Sequence, residues 1–269
     1  MRQLEAGAGP LLEVRHLRLR FGGIQALDDV TLAVQPGQLV SIIGPNGAGK
    51  TSLFNCISGL YRPTAGDIFF AGRRINGLTP DRIAALGIAR TFQNIELFRH
   101  MTTLDNLLLG RHLHMKASLL SAAFATRRWW REEVAHRRRV EQIIDMLDLQ
   151  SVRHQRVATL PYGLQKLVEL GRALAAEPRL LLLDEPSAGM TDEEKTDLIF
   201  TIRDVRDELG LAVVLVEHDM RLVMEISERV VVLDRGRVIA DGPPEAVRSQ
   251  PQVVEAYLGQ GAMGAAGGA

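Results

Sequence analysis

The segment Gly44-Pro45-Asn46-Gly47-Ala48-Gly49-Lys50-Thr51-Ser52 sets three glycines before one lysine and two hydroxyls. Its spacing is G-x-x-x-x-G-K-[ST]. In that pattern backbone N–H groups of a tight turn wrap phosphate oxygens, the lysine reaches the β- and γ-phosphates, and the next hydroxyl ligates Mg²⁺. Lys50 and Thr51 stand at those two places. Glycine loses more backbone entropy on ordering than any other residue. A bound polyphosphate offsets that loss, helped by the field at a helix N-terminus.

A second candidate is "LLLLDEP", 180–186, an apolar run ending in Asp184 and Glu185. Open α/β sheets bind ligands at the carboxyl ends of their strands. One carboxylate there can hold Mg²⁺ through water, and its neighbour can orient or deprotonate an attacking water. Alone such a pair is weak, because most strands run into solvated loops; an upstream phosphate loop reverses the balance. A lone histidine at a strand end is more often structural, but His218 closes "AVVLVEH", a parallel-strand candidate, and from there could face the same crevice and touch a γ-phosphate. Two other groups carry nothing further. "HLH" at 112–114 lacks more ligands at metal spacing, and Cys56 reads as a small buried apolar residue.

The elements around these residues explain how they could meet. "LVSIIG", 39–44, is a continuous apolar run of the kind expected in a buried parallel strand, and helical spacing follows it to Gly59. Residues 11–34 alternate apolar and polar, as antiparallel strands with one wet face do. "GDIFFAG" is a short strand, and Pro80 starts a helix. Residues 95–165 are helix-like and rich in arginine. From Leu180 strand and helix alternate again, with helices near 192–209 and 219–227 and a hairpin turning at Arg235–Gly236. The pattern predicts an α/β core interrupted by a helical insertion. The 269 residues are 46% hydrophobic and 24% charged with zero net charge. No global field therefore draws the chain to nucleic acid. One cysteine excludes an internal disulfide, and no apolar run approaches the roughly 18 residues of a spanning helix.

Taken in order, the phosphate loop, Gln93 in "ARTFQNIELF", "LPYGLQKLVELGRALA", "LLLLDEPSAGM" and "VEHD" resemble the nucleotide-binding subunit of ABC transporters. The resemblance implies a RecA-like P-loop core, an N-terminal antiparallel β-subdomain and a helical subdomain. It sets an ATPase domain at 11–258, with 11–94 and 166–258 as core plus β-subdomain, 95–165 as helical subdomain, and disordered tails at 1–10 and 259–269. It also implies ATP and Mg²⁺ sandwiched in a head-to-tail dimer with a second ATPase subunit. Transmembrane permease subunits and, indirectly, a periplasmic solute-binding protein complete the assembly at the cytoplasmic face of the cell membrane. By position, Phe21 in "RFGG" matches the aromatic that stacks on adenine, with a core phenylalanine as the alternative. Gln93 matches the residue linking Mg²⁺ and the γ-phosphate to the helical subdomain. Asp184 matches the metal carboxylate, Glu185 the catalytic glutamate and His218 the switch histidine.

The signature motif departs from its usual Leu-Ser-Gly-Gly-Gln. Here it is Leu160-Pro161-Tyr162-Gly163-Leu164, and Pro161 has neither a hydroxyl nor a backbone N–H. Two donors to the opposite γ-phosphate are lost, so this subunit is expected to offer a weakened signature face. Thr191 also stands where aspartate is common. The finer resemblance, in "LFRHMTTLDNLLLGRHLHMK", "SAGMTDEEKTDLIFTIRDVRDELGLAVVLVEHDM" and "VVEAYLG", is to the ATPases of branched-chain amino acid importers. Urea importers and lipopolysaccharide exporters share parts of it. A soluble ABC ATPase or a regulatory ATP-binding subunit is the alternative from another class. The arginines at 127–139 read as a solvated helix face, a contact with acidic lipid or a regulatory surface, with Trp129 and Trp130 either packed inward or near an interface.

Overall fold

The computed structural model describes residues 9–115 and 127–264. Its main sheet has six strands in the order β10-β9-β3-β8-β7-β6. These are β3 (Leu39–Ile43), β6 (Ile88–Arg90), β7 (Leu180–Asp184), β8 (Ala212–Val216), β9 (Arg229–Asp234) and β10 (Arg237–Gly242). All neighbours are parallel except the β9–β10 hairpin. The middle strands read as unbroken apolar runs because both faces are covered. Along β7, Leu180 and Leu182 enter one hydrophobic cluster and Leu181 and Leu183 the other. Each such side chain contributes about 1.5–3 kcal/mol by leaving water.

A second, antiparallel sheet contains β1 (Leu12–Phe21), β2 (Ile24–Val34), β4 (Ala65–Phe70) and β5 (Arg73–Arg74). Its residues Val14, Leu17 and Leu19 point inward, into the first cluster, with the alternation broken between Val14 and Leu17 where His16 takes a left-handed φ of +50°. Between the sheets runs α1 (Lys50–Ile57), and α2 (Pro80–Ala85) starts with proline in its first turn, as expected.

Three helices pack together on the other side: α3 (Thr103–Gly110), α4 (Arg127–Met146) and α5 (Tyr162–Ala175). The expected boundary between 165 and 166 therefore falls inside α5, whose apolar stripe of Val168, Leu170 and Leu174 belongs with α3 and α4. On α4, Arg137 pairs with Glu133, Arg139 reaches Glu177 and Trp130 is exposed. The side chain of Trp129 lies outside the described residues.

The chain closes with α6 (Asp192–Leu209), α7 (Met220–Ile226), α8 (Pro244–Arg248) and α9 (Pro251–Gly264). The last runs through residues 259–264, whose three glycines read in the sequence as part of a tail. Residues 1–8 and 265–269 fall outside the described chain. Among the described residues no helix is long and apolar enough to cross a membrane.

Candidate active site

The loop after β3 is shaped from behind. A Cβ at Gly44 would lie 2.0 Å from the Leu233 carbonyl oxygen at the end of β9. At Gly49, where φ is +104°, it would lie 2.7 Å from that of Ala26 in β2. Glycine at these two positions is demanded by backbone packing as much as by a ligand. The hairpin turn at Arg235–Gly236, with positive φ at both residues, touches the same loop. Gly236 N–H donates to Ala48 O at 2.9 Å, and Asp28 N–H to Gly236 O at 2.8 Å.

Lys50 curls back over the loop and donates to Gly44 O at 2.6 Å and Pro45 O at 3.1 Å. It is buried, and burial pulls its ammonium below the ordinary lysine value, while Glu185 and Asp184 pull the other way. A buried cation bonded only to carbonyls, at a helix start whose first amides have no intrahelical acceptor, suits an anion. Thr51 is exposed, Ser52 half-buried, and Asn46 and Gly47 form the open rim of the loop.

Glu185 follows the tip of β7 in a left-handed conformation, φ +49°, uncommon for a residue with a side chain. One carboxylate oxygen accepts from Gln93 Nε2 at 2.9 Å and the other lies 2.6 Å from His218 Nε2. Gln93 follows β6, Glu185 follows β7 and His218 follows β8. Three neighbouring parallel strands thus deliver their groups to one edge, the edge that also holds the loop after β3.

Several residues here had no sequence signal. Arg90 forms a buried ion pair with Asp184 Oδ2 at 2.8 Å. Buried Glu217 accepts from Ser187 N–H at 3.0 Å and His218 N–H at 3.1 Å, joining the loops after β7 and β8. Along one face of α5, Lys166 donates to Gln93 O at 2.9 Å, Glu169 lies 3.5 Å from Phe92 N–H and Arg172 donates to Glu96 O. Burial pushes the Glu169 carboxyl up, and Lys166 is the first influence pulling it back.

Phe21 is half-exposed and meets Tyr61 edge-on at 5.1 Å. The structure does not bring the signature residues to this edge. Leu160 is buried, Pro161 stands before α5 without a side-chain cap, Tyr162 is exposed, and Leu164 packs on the second cluster. Gly163 is hemmed in by Glu194, whose carboxylate would lie 2.8 Å from an added Cβ. Thr191, unusual as a motif residue, caps α6: its hydroxyl accepts from Glu194 N–H, and Glu194 reaches back to Thr191 N–H. His112 and His114 meet the carbonyl oxygens of Leu109 and Ala176. Cys56 is buried, with its thiol pushed up to about 12.

Phosphate loop, strand-end carboxylates and parallel sheet define a P-loop nucleotide hydrolase. Residues 27–188 match the ABC transporter family, and residues 237–262 match a family described as branched-chain amino acid ATP-binding cassette transporter. The chain is 43% identical over 251 residues to the high-affinity branched-chain amino acid transport ATP-binding protein BraF of Pseudomonas aeruginosa. The alignment covers 93% of this chain and 98% of BraF. Identity to LivG of Escherichia coli K12 is 40% with the same coverage. The ADP conformation of the ATP-binding cassette MJ1267 superposes with a TM-score of 0.81 at 31% identity, over 93% of this chain and 99% of that one. A dimeric cassette bound to ADP and Pi, MJ0796, gives 0.72 at 25% identity, over 87% and 98%. The chain belongs to the ABC transporter family, as an ATP-binding subunit whose hydrolysis of ATP is coupled to transport.

Proposed function

We propose that the chain is the ATP-hydrolysing subunit of a branched-chain amino acid importer, working at the cytoplasmic face of the membrane. Its likeness to BraF and LivG along nearly the whole chain, joined by the separate match of residues 237–262, supports the substrate class. One observation carries the chemistry. Glu185 is held between Gln93 and His218 at the strand edge that also bears the phosphate loop.

In this reading the amides of Gly44 to Ser52 hold the phosphates, and Lys50 exchanges its loop carbonyls for phosphate oxygens. Phe21 stacks on the adenine with Tyr61 behind it. Thr51, Gln93 and Asp184 form an oxygen-rich donor set that suits Mg²⁺, which when bound neutralises phosphate charge. Glu185 orients the attacking water and takes its proton. Gln93 and His218 fix that carboxylate, and His218 turns to the γ-phosphate. Nearly all the catalytic gain is positioning and charge, as phosphoryl transfer requires.

A second ATPase subunit, docked head to tail, meets Leu160–Leu164. Permease subunits engage a groove of about 430 Å³ beside Gln93, walled in part by Leu60, Phe92, Phe98 and Leu109. Such an apolar cleft suits an amphipathic helix. The solute-binding protein acts through the permeases.

Lys50→Ala tests the reading. Losing two charge-assisted hydrogen bonds is expected to weaken ATP binding at least ~100-fold, measured with a fluorescent analogue. Wild-type affinity would sink the nucleotide site. In a strain lacking the gene, labelled leucine uptake should return with the wild-type chain and not with this variant. Restoration of urea uptake alone would overturn the substrate class.

A further inference from the structure

Arg90 lies at the end of β6, three residues before Gln93, and is buried at 6% side-chain exposure. Its guanidinium makes three side-chain hydrogen bonds. Nη2 donates to Asp184 Oδ2 at 2.8 Å; Nη1 donates to Asn55 Oδ1 at 2.6 Å and Ser58 Oγ at 3.0 Å. Asn55 belongs to α1 and Ser58 immediately follows it. The guanidinium carbon also lies over the rings of Phe54 and Phe92, 5.5 and 4.9 Å from their centroids. One side chain therefore joins the phosphate-loop helix, the strand bearing Asp184 and the segment leading to Gln93.

We infer that Arg90 is a positioning residue for Asp184. It fixes the carboxylate by Oδ2, ties it to α1, and shares its charge, so that Oδ1 is left for the cation and the hold on that cation is moderated. The inference rests on the reading of Asp184 as the metal carboxylate. A lone Asp184 would present both oxygens and a full negative charge to a divalent ion. With Arg90 in place it presents one oxygen and a compensated charge. The planar fork of arginine can serve Asp184 and α1 at once. A lysine keeps the charge but cannot span both.

The test uses the full chain with a non-hydrolysable ATP analogue and Mn²⁺ as the probe, its binding followed by electron paramagnetic resonance. Arg90→Met is expected to bind Mn²⁺ about tenfold more tightly, because a unit charge close to the site has been removed. Arg90→Lys is expected to keep Mn²⁺ affinity within about twofold of wild type, because its charge is kept. Both are expected to lower ATP turnover about tenfold or more, because the carboxylate is no longer fixed. A thermal melt confirms folding in each case; if Arg90→Met does not fold, Arg90→Lys still decides the positioning role. Unchanged or weaker Mn²⁺ binding in folded Arg90→Met overturns the charge-sharing claim, and wild-type turnover in Arg90→Lys overturns the positioning claim. Asp184→Asn separates the premise from the inference. Weakened Mn²⁺ binding there upholds the reading of Asp184, whereas unchanged binding removes that reading and the inference with it.

Discussion

At the strand edge, Lys50, Gln93, Asp184, Glu185 and His218 are each held by at least one hydrogen bond or ion pair from another part of the site. At the start of α5, Pro161 brings neither hydroxyl nor N–H, and no side chain caps the helix. The first region keeps its full set of chemical groups. The second keeps the amides of Tyr162, Gly163 and Leu164, with Glu194 pressed against Gly163. In a head-to-tail pair the first serves this subunit's own nucleotide and the second serves its partner's. On the proposed reading, pairing with a different ATPase makes the two composite sites unequal, and the one containing Glu185 is expected to be the stronger.

The largest effect follows from that contrast. Glu185→Gln removes the positioned base and is expected to cut turnover of the assembled transporter by ~10²–10⁴, while nucleotide binding persists. The equivalent change in the partner should cost less than about tenfold, because that site already lacks donors from this chain. Equal losses would erase the asymmetry.

Pro161→Ser restores a hydroxyl and an N–H to the weaker face. One added charge-assisted hydrogen bond to phosphate is worth roughly 1.5–3 kcal/mol, so turnover at the partner's site should rise about tenfold or more. The measurement is steady-state hydrolysis with Glu185→Gln silencing the other site. No rise would mean that the α5 amides already suffice.

The smallest effect concerns the element beside that face. Thr191→Ala removes the cap on α6 and is expected to cost about 1 kcal/mol, read as a lower urea midpoint. It also frees Glu194 from its bond to the Thr191 hydroxyl. Thr191→Ser should recover most of the loss. If Thr191→Ala left stability unchanged, the cap would carry no weight.

Much of this architecture is legible in the residues. The hairpin at Arg235–Gly236 and the helix from Asp192 to Leu209 stand where turn chemistry and the alternation of strand and helix placed them. The phosphate loop and the carboxylates of β7 are legible because their spacing is local. Arg90 and Glu217 were silent, since each acts across the sheet and its partners are set by strand order. Lys166, Glu169 and Arg172 were silent for another reason. They grip a loop, and a loop has no periodicity against which a helix face can be matched.

The bond from Gly236 to Ala48 has a consequence for how the protein is made. Strand β3, which launches the phosphate loop, is flanked by β8 and β9. A ribosome-tethered chain therefore holds the loop's sequence long before it holds the strands beside it or the turn that braces it. Capture of triphosphate by the nascent polypeptide should begin abruptly, once Gly236 has cleared the exit tunnel. Stalled chains of graded length would display that onset.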